Sequence, residues 1–309
     1  MVVLAQLSDL HRGPLPAFHF ADLLSKRLFG RLNWRRSRGG DFDGALLDRL
    51  VADLASAQPE QILVTGDLTN LGSAEEFVAA RDWLMTLGRP ENVTVIPGNH
   101  DAYVPGAFAE FRDIWRPFMI GDGSADRPVA FPFVRRRGSL AILGVSSAVP
   151  TAPLMATGRI DPAQADALAQ ALAELGRDGL FRVVLIHHPP TPHASHWHRR
   201  LIGAELFRRA IREAGAELIL HGHNHRLSVA AIPGPDRPVP VVGARAGGLA
   251  PRHDRPGGSY NLIRIEGAPG RRRVTLAERG VRLLDGPVET MAEMTLLDEG
   301  DQPATVTQA

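Results

Sequence analysis

Val2-Val3-Leu4-Ala5-Gln6-Leu7-Ser8-Asp9-Leu10-His11 carries a short apolar run straight into a polar cluster. A run of this length reads as a buried strand with its chemistry at the carboxyl end. The same event recurs four times: Gln61 to Thr65 before Gly66-Asp67, Val93 to Ile96 before Pro97-Gly98-Asn99-His100-Asp101, Arg182 to Ile186 before His187-His188, and Glu217 to Leu220 before His221-Gly222-His223-Asn224-His225. Helical patterns lie between these runs. Asp43 to Ala57 carries Leu46, Leu47, Leu50, Val51 and Leu54, Ser73 to Leu87 opens with a Ser73 to Glu76 capping box, and Gly203 to Ala214 forms a third. Asp161 as N-cap, Pro162 at the first position and Gly176 just past the end bracket another helix, striped by Leu168, Leu172 and Leu175. This alternation implies a largely parallel, sandwiched sheet, in which ligands collect outside the carboxyl ends of the strands. Two stretches break it: Val129 to Ala148 reads as a hairpin turning at Gly138-Ser139, and Arg226 to Glu278 as short strands of a second, more antiparallel sheet.

Composition narrows the chemistry. With 35 Lys plus Arg against 34 Asp plus Glu in 309 residues, the net charge of +1 leaves no bulk basic footprint for nucleic acid, so any basic surface must be local. Zero cysteines exclude disulfides, thiolate zinc sites, iron–sulfur ligation and a cysteine nucleophile. Lys26 is the sole lysine and follows no glycine-rich loop, which removes a P-loop and argues against Schiff-base chemistry. No segment approaches the ~20 apolar residues of a membrane span, and Met1 to Leu10 lacks the features of a signal peptide, so a cytoplasmic protein is the expectation.

Seven side chains at the strand ends, Asp9, His11, Asp67, Asn99, His187, His223 and His225, offer carboxylate, amide and imidazole donors. In an extended segment the pairs Asp9/His11 and His223/His225, each two residues apart, point the same way and can reach one ion or two adjacent ones. A two-metal centre, with ions ~3.5 to 4 Å apart, needs about this many donors and one bridging carboxylate. Any one such residue alone is more often a cap than a ligand; five clusters on five successive strand ends are not explained that way.

In these motifs the sequence resembles the calcineurin-like metallophosphoesterase superfamily. Its ordered pattern stands here as Asp9-Leu10-His11, Gly66-Asp67, Gly98-Asn99-His100-Asp101, His187 and Gly222-His223-Asn224-His225, spanning residues 9 to 225. Gln6 to His11, Gly66 to Asn70 and His187 to Pro190 are most similar to bacterial class III cyclic nucleotide phosphodiesterases. The resemblance implies a four-layer α/β/β/α sandwich of two packed mixed sheets, with a dinuclear site at the strand carboxyl ends. It implies one metal held by Asp9, His11, Asp67 and His225, a second by Asp67, Asn99, His187 and His223, and a metal-bridging hydroxide that attacks phosphorus. The metals would come from Mn(II), Fe(II/III), Zn(II) or Co(II), among which an all O and N donor set cannot choose. His100 would hydrogen-bond a phosphoryl oxygen or protonate the leaving alkoxide. Asp101 would orient the His100 imidazole, its alternative being a plain turn-capping aspartate.

Further residues are candidates for substrate contact: Asn70 after the Gly66-Asp67 turn, and His193, His196 and His198 in the loop after Pro190. His221 is expected to cap its strand end. Gly144 to Ala148 lacks the final glycine of a nucleophile elbow, which rejects a serine hydrolase. An insert at 20–38 places Phe20, Leu24, Leu28 and Leu32 in one row at helical spacing beside Arg27, Arg31 and Arg35, with Lys26, Arg36 and Arg38 adding charge. It is either a helix packed by its apolar row with arginines in water, or a lid whose Arg27 and Arg31 meet a phosphate-rich substrate, a lipid headgroup or a membrane surface. A single domain over 1–297 is expected, with a mobile tail over 298–309.

The function expected is therefore hydrolysis of a small phosphodiester, such as a cyclic nucleotide or a glycerophosphodiester, with no stable nucleic-acid partner. The alternative is a pyrophosphatase or phosphodiesterase acting on a nucleotide-linked lipid precursor, peripheral at the inner membrane face. The pyrophosphatases of lipid A synthesis typically carry Arg where His100 stands, which argues against simple assignment to them. A nuclease would need added domains that the ~80 residues after Gly222 hardly accommodate, and a non-catalytic scaffold would not keep His100 and all seven donors.

Overall fold

A computed structural model describes residues 1–12, 15, 17, 26–34, 42–124, 126–253 and 255–300. In chain order its elements are β1 (Val2–Leu7), α1 (Lys26–Asn33), α2 (Gly44–Ser56), β2 (Gln61–Val64), α3 (Ala74–Leu87), β3 (Val93–Val95), α4 (Ala107–Ile114), β4 (Phe133–Arg137), β5 (Leu140–Gly144), β6 (Gly158–Arg159), α5 (Pro162–Arg177), β7 (Phe181–Leu185), β8 (Leu201–Ile202), α6 (Ala204–Ala214), β9 (Leu218–His221), β10 (Ser228–Ile232), β11 (Val239–Gly243), β12 (Ser259–Glu266), β13 (Arg273–Gly280) and β14 (Glu289–Asp298).

The strands form two six-stranded mixed sheets, ordered β14-β13-β12-β1-β2-β3 and β10-β11-β9-β7-β5-β4, with β6 and β8 as a separate pair. The five strands with polar ends are split between them: β1, β2 and β3 run parallel in the first sheet, β7 and β9 in the second. Among the described residues the short strands of 226–278 do pair largely antiparallel, but they are shared between the two sheets and form no sheet of their own. Instead β12 pairs antiparallel with β1, while β11 continues β9 in parallel and β10 closes that edge. Each added strand satisfies backbone groups that the parallel core would leave bare.

Alternation along the strands shows why two sheets stack. In β7, Val183 and Leu185 face the cluster shared with Leu4, Leu63 and Val95 of the first sheet, whereas Val184 and Ile186 face Leu168, Leu172, Phe207 and Ile211 of α5 and α6. Both faces of the strand are thus buried, as its near-continuous apolar run requires. The hairpin forms as expected, with Gly138 in the left-handed region between β4 and β5.

Helix ends follow the expected caps at Asp43, at the Ser73 to Glu76 capping box and at Asp161. One end differs. α5 continues through Gly176 to Arg177, and it is Gly179 that takes the left-handed position, with Leu180 N donating to Leu175 O and Gly179 N to Gly176 O. Gly176 serves packing instead, since a Cβ there would fall 2.5 Å from Arg182 Nη1.

Register brings the polar clusters to one level. Leu7 pairs with Val64 and Val64 with Val95, while Leu185 pairs with Leu220 in the other sheet. Residues two to five beyond these ranks therefore gather at one edge of the sandwich. Among the described residues no helix is long and apolar enough to cross a membrane. Glu299 is tied to Arg272 N and Arg237, and residues 301–309 of the expected tail lie outside the described residues.

Candidate metal centre

The backbone turns that carry the donors are strained. Asp9, His11, Asp67, His223 and His225 all have φ between 44° and 71°, the left-handed region that non-glycine residues avoid. The pairs Asp9/His11 and His223/His225 are therefore not extended as the sequence reading assumed; their convergence comes from tight turns just past the strands. Strain of this kind, of order 1–3 kcal/mol per residue, clusters at functional sites. The glycines of the motifs have a second cause, close approach. A Cβ on Gly98 would overlap Asp67 Oδ1, and one on Gly222 would overlap Ser8 Oγ and lie 2.6 Å from Asp9 Oδ2.

The seven expected ligands come together in two halves joined at one carboxylate. His225 Nε2 lies 3.2 Å from Asp9 Oδ1 and 3.4 Å from His11 Nε2. On the other side, Asn99 Oδ1 lies 3.2 Å from His187 Nε2 and 2.9 Å from His223 Nδ1. Asp67 Oδ2 sits between the halves, 3.8 Å from His11 Nε2 and 3.4 Å from His187 Nε2, while its Oδ1 accepts the His100 N–H at 2.8 Å.

Backbone carbonyls decide which ring nitrogens face inward. Thr69 O lies 3.2 Å from His11 Nδ1, Thr65 O 2.7 Å from His187 Nδ1 and Arg199 O 2.9 Å from His223 Nε2. A carbonyl only accepts, so in the neutral rings those nitrogens carry the hydrogen and the inward ones keep lone pairs. Lone pairs, two carboxylates and an amide oxygen converging in a buried space form a donor set that cations satisfy, with the outer hydrogen bonds that orient metal-bound histidines.

The charges reflect the same crowding. Burial pushes the Asp67 carboxyl up, but His187, His100 and His11 outweigh it and hold it well below the ordinary range; Asp9 is held down against its own burial by His225. Burial pulls His187 down, yet Asp67 and Asp9 push it up to about 9, whereas burial and the neighbouring rings of His188 and His187 hold His223 well below the usual value.

His100 sits beside the centre, its ring 4.7 Å from that of His11. Its Nδ1 donates to Asn70 O at 2.7 Å, leaving Nε2 as the nitrogen that can pass a proton, and Tyr103 stacks on it at 5.5 Å. Asp101 does not touch that imidazole, so the orienting role read from the sequence is corrected to the turn-holding one. Its carboxylate accepts from Asp67 N, Leu68 N, Thr69 N, Thr69 Oγ1 and Gly98 N, binding the two ligand turns together. Asn70 is likewise redirected: its side-chain nitrogen donates to Arg12 O, and what it offers the site is the carbonyl that holds His100.

His193 and His196 are not brought to the seven ligands. His193 lines a separate cavity of about 470 Å³ with Trp197, Arg200 and Arg208, and His196 stacks on His198. His221 is buried, with Nδ1 2.9 Å from Gly222 O. Within the insert, Phe20, Leu24, Arg35, Arg36 and Arg38 lie outside the described residues. Helix α1 is packed by its cations: Arg27 donates to Leu71 O and Gly72 O, while Lys26 donates to Thr151 Oγ1 and Met155 O over the face of Tyr103. Leu32 is exposed and Arg31 half-buried, so over 26–34 the arrangement of leucines packed and arginines in water is not the one found.

Two residues escaped the sequence reading. His188 is buried against His223, ring centroids 4.3 Å apart, with Nδ1 bonded to Ser147 Oγ and Nε2 to Ala156 O; burial and His187 push it down to about 3, so it stays neutral. Its place after His187 was the only signal. Phe42 packs its ring 4.9 Å from His11, and nothing around it in sequence marks it.

Stacked mixed sheets with such a donor set at their common edge are the architecture of the calcineurin-like phosphoesterase class. Residues 2–227 match the family described as calcineurin-like phosphoesterase, and the chain belongs to it. It is 28% identical over 181 residues to glycerophosphodiester phosphodiesterase GpdQ of Enterobacter lignolyticus (strain SCF1), a match covering 56% of this chain and 58% of that relative's length. Two solved structures share the fold. A dimetal phosphatase from Danio rerio superposes with a TM-score of 0.63 at 11% identity, covering 96% of this chain and 98% of that one. The purple acid phosphatase PPD1 of yellow lupin (Lupinus luteus) gives 0.59 at 13% identity, covering 100% and 57%.

Proposed function

We propose that the chain hydrolyses small phosphodiesters at a two-metal centre. The observation that carries this reading is Asp67 Oδ2, set between His11 Nε2 and His187 Nε2 and so shared by both halves of the donor set. Asp9, His11 and His225 would complete one metal site, and Asn99, His187 and His223 the other. When bound, such ions supply acidity to a water and positive charge to the phosphoryl oxygens. The chain's own residues do the rest. Asp101 holds the Asp67 and Gly98 turns at fixed separation, His188 backs the His223 ring, and Asn70 O fixes the tautomer of His100. With Nδ1–H held by Asn70 O, it is the protonated imidazolium of His100 that would carry on Nε2 a proton for the departing alkoxide or a hydrogen bond to a phosphoryl oxygen. A glycerophosphodiester or cyclic nucleotide is the substrate class favoured, the first by the similarity to GpdQ.

The test is reconstitution with Mn(II), Fe(II), Zn(II) or Co(II), elemental analysis, and turnover of bis-p-nitrophenyl phosphate, glycerophosphodiesters, cyclic AMP and cyclic GMP. Metal content near two per chain and loss of both ions in Asp67→Ala are expected. A reproducible single ion, bound unchanged in Asp67→Ala, would sink the reading.

A nucleotide-linked lipid precursor is the second reading. The cations of α1 beside the Tyr103 to His100 stack are what keep it open.

A further inference from the structure

Three segments border the metal centre and are joined to one another. α1 reaches it through Tyr103, which stacks on His100; Gly30 lies so close that a Cβ there would fall 2.5 Å from Tyr103 Oη. Lys26 ties α1 to the loop at 151–155. That loop is tied in turn to the one at 191–202, through Ala156 N to His198 O at 2.9 Å, Gly158 N to Arg200 O at 3.1 Å and the β6–β8 pair. The last loop closes on the centre, since Arg199 Nη2 donates to His223 O and Arg199 O holds His223 Nε2.

This rim has a composition unlike the rest of the chain. Residues 26–34, 145–160 and 187–204 hold six of the 35 cations, Lys26, Arg27, Arg31, Arg159, Arg199 and Arg200, and none of the 34 acids. Each segment also lifts a large apolar side chain into solvent, and 187–204 lifts a second, Ile202. Leu154 is 90% exposed, Trp197 67% and Leu32 44%. Leu154 stands at φ 66°, a conformation β-carbon-bearing residues avoid, at the tip of its loop. α1 adds to this by docking through Lys26 and Arg27, which leaves its leucine outward.

We propose that this rim is a membrane-docking face whose partner is an anionic lipid bilayer. Leu154, Trp197 and Leu32 enter the interfacial region, and the exposed Arg159 and Arg200 meet headgroup phosphates. The chemistry selects a bilayer over other anionic partners. Protruding aliphatic tips gain nothing from a nucleic-acid backbone, and three segments that carry cations and no acid favour an anionic surface over the charge-depleted core of a protein interface. Apolar and aromatic tips set among arginines match the headgroup boundary, where each basic residue near the surface is worth roughly a fivefold gain in binding. Docking deepens the phosphodiesterase reading, because it would bring the metal centre against phosphodiesters of the lipid surface, but the binding itself does not depend on that reading.

Cosedimentation of the full chain with vesicles of phosphatidylcholine alone, or mixed with phosphatidylglycerol, tests it. The wild type should sediment with the mixed vesicles, weakly with phosphatidylcholine, and less as salt is raised, since screening shortens below ~10 Å above 0.1 M. Leu154→Ser with Trp197→Ser should weaken partition by about tenfold or more, and Arg200→Gln by about fivefold. Soluble bis-p-nitrophenyl phosphate turnover in these variants should match the wild type. Inactivity of the wild type on that ester would count against the hydrolase reading and leave docking intact. Docking is overturned if the wild type does not sediment with anionic vesicles at low salt, or if the double variant binds as well as the wild type. It is equally overturned if the double substitution instead changes the oligomeric state in sedimentation velocity without lipid, which would make the rim a contact between copies.

Discussion

The ligand turns and the rim around them hold their shape by different means. In the turns almost every polar group is spent on the backbone: the Asp101 carboxylate takes five donors, Thr65 and Thr69 carbonyls fix two imidazoles, and five ligands accept left-handed φ values. In the rim two loops are joined by backbone pairing of β6 with β8, and the remaining ties are a few long side chains, Lys26, Arg27 and Arg199, reaching carbonyls across the mouth. Preorganisation of the first kind tolerates no shift, because a misplacement of about 1 Å can cost ~10²-fold in rate. The second kind can give way and reform, and it leaves apolar tips in solvent. If the turns carry the proposed chemistry and the rim the proposed recognition, substitutions should separate them.

The largest effect is expected at His100. With Asn70 O fixing its ring, His100→Ala should keep both metals and slow turnover by roughly 10²- to 10⁴-fold, the range for a lost general acid. Comparing aryl with alkyl leaving groups sharpens the assignment: a proton donor matters most for the poor alkoxide. Equal losses for both would move His100 from proton donation to phosphoryl-oxygen binding.

A smaller loss is expected one layer out, at His188. It packs on two expected ligands, edge-on to His187 at 5.0 Å and against the His223 ring at 4.3 Å, so His188→Ala should weaken metal binding by about 10- to 100-fold, as outer-shell losses do. Binding should also depend on pH with a definite sign. His187, held up at about 9 by the two carboxylates, must shed its proton to bind a cation, so affinity should rise as pH climbs toward 9. In the metal-free protein the same shift acts oppositely on folding. Its contribution is full below the unfolded value near 6.5 and is lost as pH rises through about 9. Metal titrations and thermal melts across this range check both slopes; a metal affinity flat from pH 6.5 to 9 would remove His187 from the ligand set.

What was legible in the sequence follows the same division. Strand ends, caps at Asp43, Ser73 and Asp161, and the glycine-marked turns are local, and each is a pattern within a few residues. The seven donors could be gathered because register aligns strand ends, a consequence of strand-helix alternation. Asp101 was ambiguous because four of its five donors come from residues 67–69, more than thirty positions away. Asn70 was misread for a similar reason, its amide turning to Arg12. Gly176 was mistaken for a helix stop because the guanidinium it accommodates belongs to Arg182, on the next strand. The insert was the least legible: spacing shows which residues share a face, but not that Lys26 and Arg27 find carbonyls at Leu71, Gly72 and Met155.

The smallest effect, and the one that separates the two regions best, belongs to Lys26. Its ammonium is half-buried with two oxygen acceptors and the Tyr103 ring as partners, and burial pushes it down to about 8 against the opposing field of Asp67. Lys26→Met keeps the stem that lies along Tyr103 and removes only the links to Thr151 and Met155. If α1 belongs to the yielding rim, the substitution should free it at a cost of about 1.5–3 kcal/mol in stability, typical of hydrogen bonds to a charged group. The kcat for a small aryl diester should then stay within about twofold, since His100 keeps its bond to Asn70 O. The KM for a bulky phosphodiester should shift by a few-fold, because loosening α1 alters the mouth and not the centre. As the sole lysine, Lys26 can be reductively methylated with isotope-labelled formaldehyde, which gives one side-chain resonance to titrate beside that of the amino terminus. A resonance titrating near 8 in the native protein and moving toward 10.5 on unfolding would report the buried contact directly. A fall in kcat for the aryl ester as large as that of His100→Ala would instead place α1 within the rigid centre, and the division between turns and rim would have to be redrawn.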